Sequence, residues 1–443
     1  MIRPDTLKGF RDVPPGPALA REEMIAAAKA VFRDFGFAPI ETPALEYAEV
    51  LLGKGGEESD RQTFRFTDQG GRDVAMRFDL TVPFARFAAK HHPQIGLPFR
   101  RYQVGTVWRG ERPQKGRYRE FTQCDFDTIG IDSVAADAET LLVIDALLRR
   151  LGVEKFSVRL NSRGLLNGLL ANLGLEGRAA ATLRVLDKLA KAGREAVLRE
   201  LTDDVVGSAD VAEQVLAIAE IAGPAGEVLP LLAEKAGDEP RAAAAIGRLS
   251  EIVDVATAAG VSPARMCLDA SIARGLDYYT GVIYETFLDD LPSIGSVCSG
   301  GRYDDLAGLF TKQPLPGVGA SLGLDRLLAA WEELGRTFEK ATPADVLMTV
   351  FDDARLADYA AAANRLRGAG IAVEVFPDGR GLGKQLKYAN AKKFTLAVVA
   401  GPDELAAGRW AVKTLETGDQ ADVADADLVA AVRERLDRRR PGA

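Results

Sequence analysis

The sequence predicts an α+β domain with antiparallel hairpins, interrupted by a helical insertion and followed by an α/β domain. Three observations predict it. Residues 101–109 and 120–129 are strand-like runs rich in aromatic and β-branched side chains, and the loop between them carries Pro113 and Gly116, which reads as a long antiparallel hairpin. From Gly164 to Gly260 Ala and Leu dominate, strand patterns vanish, and Gly193, Gly223-Pro224 and Glu239-Pro240 punctuate helical periodicity. Beyond residue 343 short apolar runs at 346–350, 372–376 and 395–400 alternate with helical stretches at 354–367, 381–391 and 425–437.

A chain of 443 residues can bury a large core and divides into two or three domains. Its net charge of −8 excludes a global basic field, so nucleic acid must be held by local patches. The three cysteines form no Cys-x-x-Cys pair, which argues against a disulfide framework or a cysteine zinc site and suits a reducing compartment. No apolar run marks a signal peptide at the N-terminus or reaches membrane-spanning length. The expectation is a cytoplasmic protein with no membrane partner.

In chain order, residues 1–16 are an extended lead-in rich in Pro and Gly. A helix follows from Ala18 to Phe35, with Met24, Ile25, Ala28, Val31 and Phe32 at helical spacing and Gly36 as its stop. Phe37 to Pro43 reads as a strand whose proline assigns it to an edge or interface. Gly70-Gly71 lies between two strand-like runs as a hairpin turn. Asp79 and Thr81 share one face if extended, or cap a helix entering at Pro83. His91 and His92, the only histidines, have no Cys, Asp or Glu at ligand spacing and read as surface loop residues, so no metal cluster is expected. The glycine run 379–383 lacks P-loop spacing, and Gln385 stands where Ser or Thr is required, so a P-loop is rejected.

The hairpin carries the chemistry. Arg112, Lys115, Arg117 and Arg119 crowd its loop, while Arg109, Gln123 and Asp127 sit on its strands. One reading is a solvated basic turn. The other is an anion site: arginine's planar fork makes bidentate bonds to phosphate, Phe121 offers a stacking face, and polar side chains facing a core need partners.

Trp108-Arg109-Gly110-Glu111, the loop and Arg119-Glu120-Phe121 resemble motif 2 of class II aminoacyl-tRNA synthetases. Gln123-Cys124-Asp125-Phe126-Asp127, Arg274-Gly275-Leu276-Asp277-Tyr278-Tyr279 and Ser299-Gly300-Gly301-Arg302-Tyr303-Asp304 resemble signatures of the histidyl-tRNA synthetase family. The helix and Pro-bearing strand before residue 43 resemble motif 1, and Gly317 to Leu328 resembles motif 3.

The resemblance implies an α+β catalytic domain built on an antiparallel sheet, the class II synthetase fold, with a helical insertion and a C-terminal α/β domain. Its expected boundaries are 1–163 and 261–335 for the catalytic domain, 164–260 for the insertion and 343–443 for an anticodon-binding domain. The implied reaction joins histidine and ATP as histidyl-adenylate, releases pyrophosphate, and moves histidine to the 3′ end of tRNA(His). Arg109 and Arg274 are the implied catalytic residues, one on each side of the α-phosphate. Arg109, Glu111, Arg117, Phe121 and Arg326 are implied for ATP, with Mg2+ on its outer phosphates. Asp79, Leu80, Thr81, Gln123, Asp127, Tyr278, Tyr279 and Tyr303 are implied for histidine, Asp127 and Tyr279 at the ring nitrogens. Gln114, Lys115, Lys384 and Lys387 are the tRNA candidates, and a homodimer is implied.

The loop 112–116 resembles the bacterial form, whereas segments 79–87, 123–127 and 274–285 resemble the eukaryotic type, which leaves the acceptor-end features open. A competing class is a non-catalytic paralogue, either a histidine-binding regulatory subunit or a sensor of uncharged tRNA. The presence of Arg109, Arg274, Arg326 and the C-terminal domain weighs against it. A third reading, a class II synthetase for another amino acid such as threonine or proline, is disfavoured by the two histidine signatures.

Overall fold

The computed structural model describes residues 2–53, 62–272, 278–379 and 381–438. The chain forms two compact units, Met1–Arg11 with Met24–Gly335, and Asp12–Glu23 with Arg336–Ala443.

The first unit carries strands β1 (Ala38–Pro39), β2 (Leu45–Tyr47), β3 (Arg65–Thr67), β4 (Asp73–Met76), β5 (Phe99–Trp108), β6 (Glu120–Ile129), β7 (Phe156–Ser162), β8 (Ala222–Pro224), β9 (Met266–Asp269), β10 (Val282–Leu288), β11 (Cys298–Arg302) and β12 (Gly317–Gly323). Nine of them make one sheet in the order β1-β5-β6-β12-β11-β10-β7-β9-β8. The run β5-β6-β12-β11-β10-β7 is antiparallel throughout, and β1 and β9 join it in parallel. β5 and β6 pair over ten residues each, from Phe99 opposite Ile129 to Trp108 opposite Glu120. Arg109 was expected on the strand and lies one residue past it. Its N–H still donates to Arg119 O at 2.9 Å, so the ladder runs one rung further.

Side chains alternate across a strand, and here the two faces differ in chemistry. Tyr102 and Phe126 point to one face, where the helix Pro15–Asp34 lays Phe32 against them at ring distances of 5.4 and 5.3 Å. Met24, Ala28 and Val31 complete that buried stripe, each large side chain contributing about 1.5–3 kcal/mol. Arg101, Gln103, Asp125 and Asp127 point to the other face and are also buried.

The expected hairpin at Gly70-Gly71 forms between β3 and β4. Asp79 and Thr81 do not lie in an extended run: the helix Thr81–Ile95 begins there, and Asp79 Oδ1 accepts from Val82 N at 3.1 Å. The same helix corrects the loop expectation for the histidines. It continues to Ile95, with the His91 ring 4.7 Å from Phe87 one turn earlier, and Gly96 at φ 71° ends it. The stretch expected to be wholly helical runs from Arg163–Asn172 to Pro240–Ala258 with its own core, including Val197, Leu201 and Leu216. It also contributes β8 to the large sheet, a three-residue strand too short to leave an alternating pattern.

The second unit is a five-stranded sheet formed by β13 (Val346–Met348), β14 (Val373–Val375), β15 (Leu396–Val399), β16 (Arg409–Thr414) and β17 (Gln420–Ala424), in the order β14-β13-β15-β16-β17. The first three strands are parallel, while β16 and β17 add an antiparallel hairpin that the apolar-run pattern missed. β17 is an exposed edge of mixed polar residues, so no hydrophobic run announces it. Gln385 is a clamp within this unit: its amide exchanges bonds with the N–H and carbonyl of Val350 at 3.0 and 2.5 Å. Among the described residues no helix is long and apolar enough to cross a membrane.

Candidate active site

Register places the polar face of the sheet. One rung across the strands holds Gln103, Asp125, Ser321, Ser299 and Glu285. The next holds Arg101, Asp127, Gly319, Gly301 and Ile283, and on the other side lie Gly105, Gln123 and Gly323. Along β6 the side chains on this face are Phe121, Gln123, Asp125 and Asp127, spanning roughly 20 Å at the usual strand rise. One end of that line is cationic and the other is anionic.

At the cationic end an open cleft is lined by Arg109, Glu111, Arg117, Tyr118, Phe121, Gln123, Ser299, Ser321, Asp325 and Arg326. All five residues expected for ATP therefore share one cleft. Arg109 is aimed by its Nε bond to Phe78 O at 2.9 Å and lies 5.2 Å over the Phe121 ring. Arg117 and Arg109 each reach to 3.9 Å of Glu111. Arg326 comes from the first turn of the helix Leu324–Glu333 and donates to Ser296 O. Burial, then the charges of Arg117 and Arg109, push its guanidinium down to about 10. Three guanidiniums against two carboxylates, Glu111 and Glu285, form a site short of negative charge.

The hairpin loop folds over this cleft. Gly116, at φ 71°, leaves room for Arg326, whose Cγ stands 3.5 Å from where a Cβ would project. Lys115 reaches Glu333 at 2.6 Å, and Gln114 bridges to Arg117. The lead-in segment adds a residue that sequence reasoning missed. Arg11 pairs with Asp325 and sits 3.8 Å over the Tyr118 ring, while Asp325 also accepts from Thr122 N at 2.7 Å.

At the anionic end Asp79, Asp125 and Asp127 are buried around Arg101. Arg101 Nη2 lies 2.6 Å from Asp127 and 3.9 Å from Asp125, and its guanidinium rests 4.4 Å over the Phe84 ring. Tyr303 Oη donates to Asp127 Oδ1 at 2.5 Å, and Tyr278 Oη donates to Asp79 Oδ2 at 3.1 Å. Tyr278 packs edge-on against Tyr279 and Tyr303 at 5.1 and 6.0 Å. Gly319 is required beneath this group, because a Cβ there would stand 2.3 Å from Asp127 Oδ1. Gln123 joins the two ends: its Nε2 donates to Ser321 Oγ at 2.8 Å and its Oε1 is buried without a partner among the described residues.

All eight residues expected for histidine, Asp79, Leu80, Thr81, Gln123, Asp127, Tyr278, Tyr279 and Tyr303, lie around this end; Thr81 opens the adjoining helix with its side chain hydrogen-bonded to Tyr278. Arg274 lies outside the described residues. Arg101, Asp125 and Glu285 were missed, although the period-two run 123–125–127 pointed to Asp125. Lys384 and Lys387 are exposed on the helix Leu382–Ala391 of the second unit.

Burial raises Asp79 and Asp127, opposed by neighbouring arginines and hydroxyls. Asp125 is pushed up to about 7 by burial, opposed by Arg101 and reinforced by Asp127. The folded chain therefore holds a proton on Asp125 that the unfolded chain releases near 3.8, the ordinary value. Stability must fall as pH rises through the window from roughly 4 to 7. Asp125→Asn removes that dependence. Its urea-unfolding free energy is expected to decline less than wild type between about pH 5 and pH 8, with the variant's relative gain largest at pH 8. Parallel slopes in the two proteins would refute the assignment.

An antiparallel sheet bearing a motif-2 hairpin, a strand-to-helix arginine and an arginine-lined cleft defines the catalytic domain of a class II aminoacyl-tRNA synthetase. Known proteins narrow the class. The family model for histidyl-tRNA synthetase matches residues 9–327, and that for an anticodon binding domain matches residues 345–435. A histidine–tRNA ligase of Rhodopirellula baltica is 56% identical over 424 residues, 96% of each chain. The crystal structure of histidyl-tRNA synthetase from a Nostoc species superposes with a TM-score of 0.88 at 32% identity, covering 98% of this chain and 100% of that one. A Bacillus halodurans structure described as an ATP phosphoribosyltransferase regulatory subunit/histidyl-tRNA synthetase shares the fold at 22% identity and a TM-score of 0.74, over 88% of this chain and 97% of that one. The chain belongs to the histidyl-tRNA synthetase family.

Proposed function

We propose that the two charged ends of the sheet face divide the labour of histidine activation, as follows. The chain activates histidine with ATP and charges tRNA(His); the cationic end takes the triphosphate and the anionic end takes the amino acid. The observation that carries this division is the polarity of one continuous surface. Arg109, Arg117 and Arg326 outnumber the carboxylates that reach them, Glu111 and Glu285, while Asp79 and Asp127 outnumber Arg101 even with a proton on Asp125. A triphosphate repairs the first imbalance, and an ammonium group repairs the second.

Attack of the histidine carboxylate on the α-phosphate builds negative charge on a pentavalent centre. Preorganised guanidiniums stabilise it without reorganising at the moment of reaction. Arg109, fixed by Phe78 O, holds the α-phosphate; Arg274 is assigned opposite it on the sequence. Arg117 and Arg326 hold the γ-phosphate, Glu111 reads the adenine amino group and Phe121 stacks on its ring. Asp127 and Tyr279 read the imidazole nitrogens, while Asp79, Thr81, Gln123 and Tyr303 surround the α-amino group, with Leu80 and Tyr278 shaping the wall. Glu285, whose charge reaches Arg326, is the carboxylate that would hold Mg2+, and the ion would supply positive charge for the outer phosphates.

Gln114 and Lys115 on the hairpin loop are assigned to the tRNA acceptor end, Lys384 and Lys387 to the anticodon arm, and the helical insertion to tRNA. The domain limits 1–163, 164–260, 261–335 and 343–443 and a cytoplasmic location belong to the same reading. A homodimer is supported by Leu45, Tyr47 and Phe66, each at least 45% exposed on the small sheet β2-β4-β3.

Histidine-dependent ATP–pyrophosphate exchange without tRNA tests the reading. Exchange with histidine and with no other amino acid is the expected result. Histidine binding without exchange would instead favour the regulatory paralogue.

A further inference from the structure

The side of the sheet away from the pocket carries a charged chain that reaches the helical insertion. Arg302 ends β11 and, by strand alternation, points opposite to Gly301 and Tyr303. Its guanidinium is almost fully buried and grips Asp137 Oδ1 through Nε and Nη2 at 3.0 and 2.7 Å. Asp137 is wholly buried in the first turn of the helix Val134–Arg150. Its other oxygen accepts from Arg248 Nε at 2.6 Å, and Arg248 belongs to the helix Pro240–Ala258 of the insertion. Asp132 accepts a further bond from Arg248 at 2.7 Å.

From Arg302 the chain continues towards the pocket. Arg302 Nη1 donates to Asp304 Oδ1 at 3.0 Å, and Asp304 Oδ2 accepts from Thr280 Oγ1 at 2.8 Å. Thr280 N donates to Arg302 O at 2.8 Å. Gly281 lies on the Arg302 stem, where a Cβ would stand 2.9 Å from Cδ. Thr280 directly follows Tyr278 and Tyr279, and Asp304 directly follows Tyr303. The side-chain links from Arg248 through Asp137 and Arg302 to Asp304 and Thr280 are charged or hydroxyl contacts in a buried or half-buried setting, where removing one partner leaves the other unsatisfied; the bond of Arg248 to Asp132 is exposed.

We propose that Asp137 is a positioning junction for the amino-acid pocket, through which Arg248 of the insertion sets the placement of Tyr278, Tyr279 and Tyr303. The role rests on the assignment of those tyrosines to histidine. Removing the insertion's contact therefore loosens histidine binding while leaving the ATP end in place, because Arg109, Arg117 and Arg326 are held by Phe78 O, Glu111 and Ser296 O.

The test compares Arg248→Ala, Arg248→Lys and Asp132→Asn in the full chain. It reads histidine and ATP KM by pyrophosphate exchange, histidine Kd by calorimetry, and melting temperature. Arg248→Ala is expected to raise histidine KM and Kd on the order of ten-fold, with ATP KM within about two-fold. Arg248→Lys, which keeps a cation on Asp137, is expected to restore much of the loss, and Asp132→Asn to give a smaller shift in the same direction. A lowered melting temperature with unchanged histidine KM and Kd, or equal shifts for both substrates, would overturn the junction and leave a structural ion pair. A wild-type chain that binds histidine without exchange would overturn the catalytic reading alone, and the Kd comparison would still decide this one.

Discussion

Arg326→Ala is expected to lower histidine-dependent pyrophosphate exchange by about 10³-fold, the loss typical of removing a preorganised charge from a developing anion. The side chain stands among Arg109 and Arg117, is largely buried, and has its ionisation pushed down to about 10 by burial and by those charges. At neutral pH it is still a full cation, held at a cost to folding that Glu111, Glu285 and Ser296 O offset only in part. Deleting it relieves that cost, so the melting temperature is expected to stay level or rise while turnover collapses. Stability and activity moving in opposite directions is the signature of a strained functional charge. Arg326→Lys keeps charge but loses the planar fork and the geometry of its bond to Ser296 O, so a loss of about 10²-fold is expected. Histidine KM should shift little in either variant, because the pocket around Asp127 is built by other strands. Near-normal exchange, or a drop in melting temperature that tracks the lost activity, would refute the role.

The parts legible in the sequence were those with a local cause. The hairpin of β5 and β6 announces itself by alternation and by the Pro113–Gly116 loop; Phe121 and Gln123 fall where that alternation puts them, and Arg109 lies one residue past the strand. The site's two halves were legible only through motif resemblance, because β10, β11 and β12 reach the pocket from residues far along the chain. Arg101 was missed for a physical reason. An arginine between Arg100 and Tyr102 reads as solvated, and only its rung opposite Asp127 shows that it is the buried counter-charge of the pocket. Asp79 shows the limit of a choice between two local readings, since one oxygen caps the helix and the other meets Tyr278. The histidines were misplaced because they were judged only by the lack of metal-ligand partners, a test blind to the helix that carries them through Pro93 to its end at Gly96.

Asp127→Asn is expected to raise histidine KM by about 10²-fold while leaving ATP KM within about three-fold. The carboxylate is the convergence point of the anionic end, with Tyr303 Oη on one oxygen and Arg101 on the other. The amide keeps the shape and one acceptor but loses the charge. The cost follows from replacing charge-assisted bonds, worth about 1.5–3 kcal/mol, by neutral ones. Asp127→Ala is expected to go further in affinity, and it also leaves Arg101 buried without its counter-ion, a penalty of about 3–5 kcal/mol that threatens the fold itself. The double variant Asp127→Ala with Arg101→Met separates the two effects. Removing both charges at once should recover much of the melting temperature, because an apolar pair can replace a buried ion pair at little cost. It should recover none of the histidine affinity if Asp127 reads the imidazole. Affinity returning together with stability would mean that Asp127 serves only to neutralise Arg101, and the ring nitrogen would then have to be read by Tyr279 and another group on the same face.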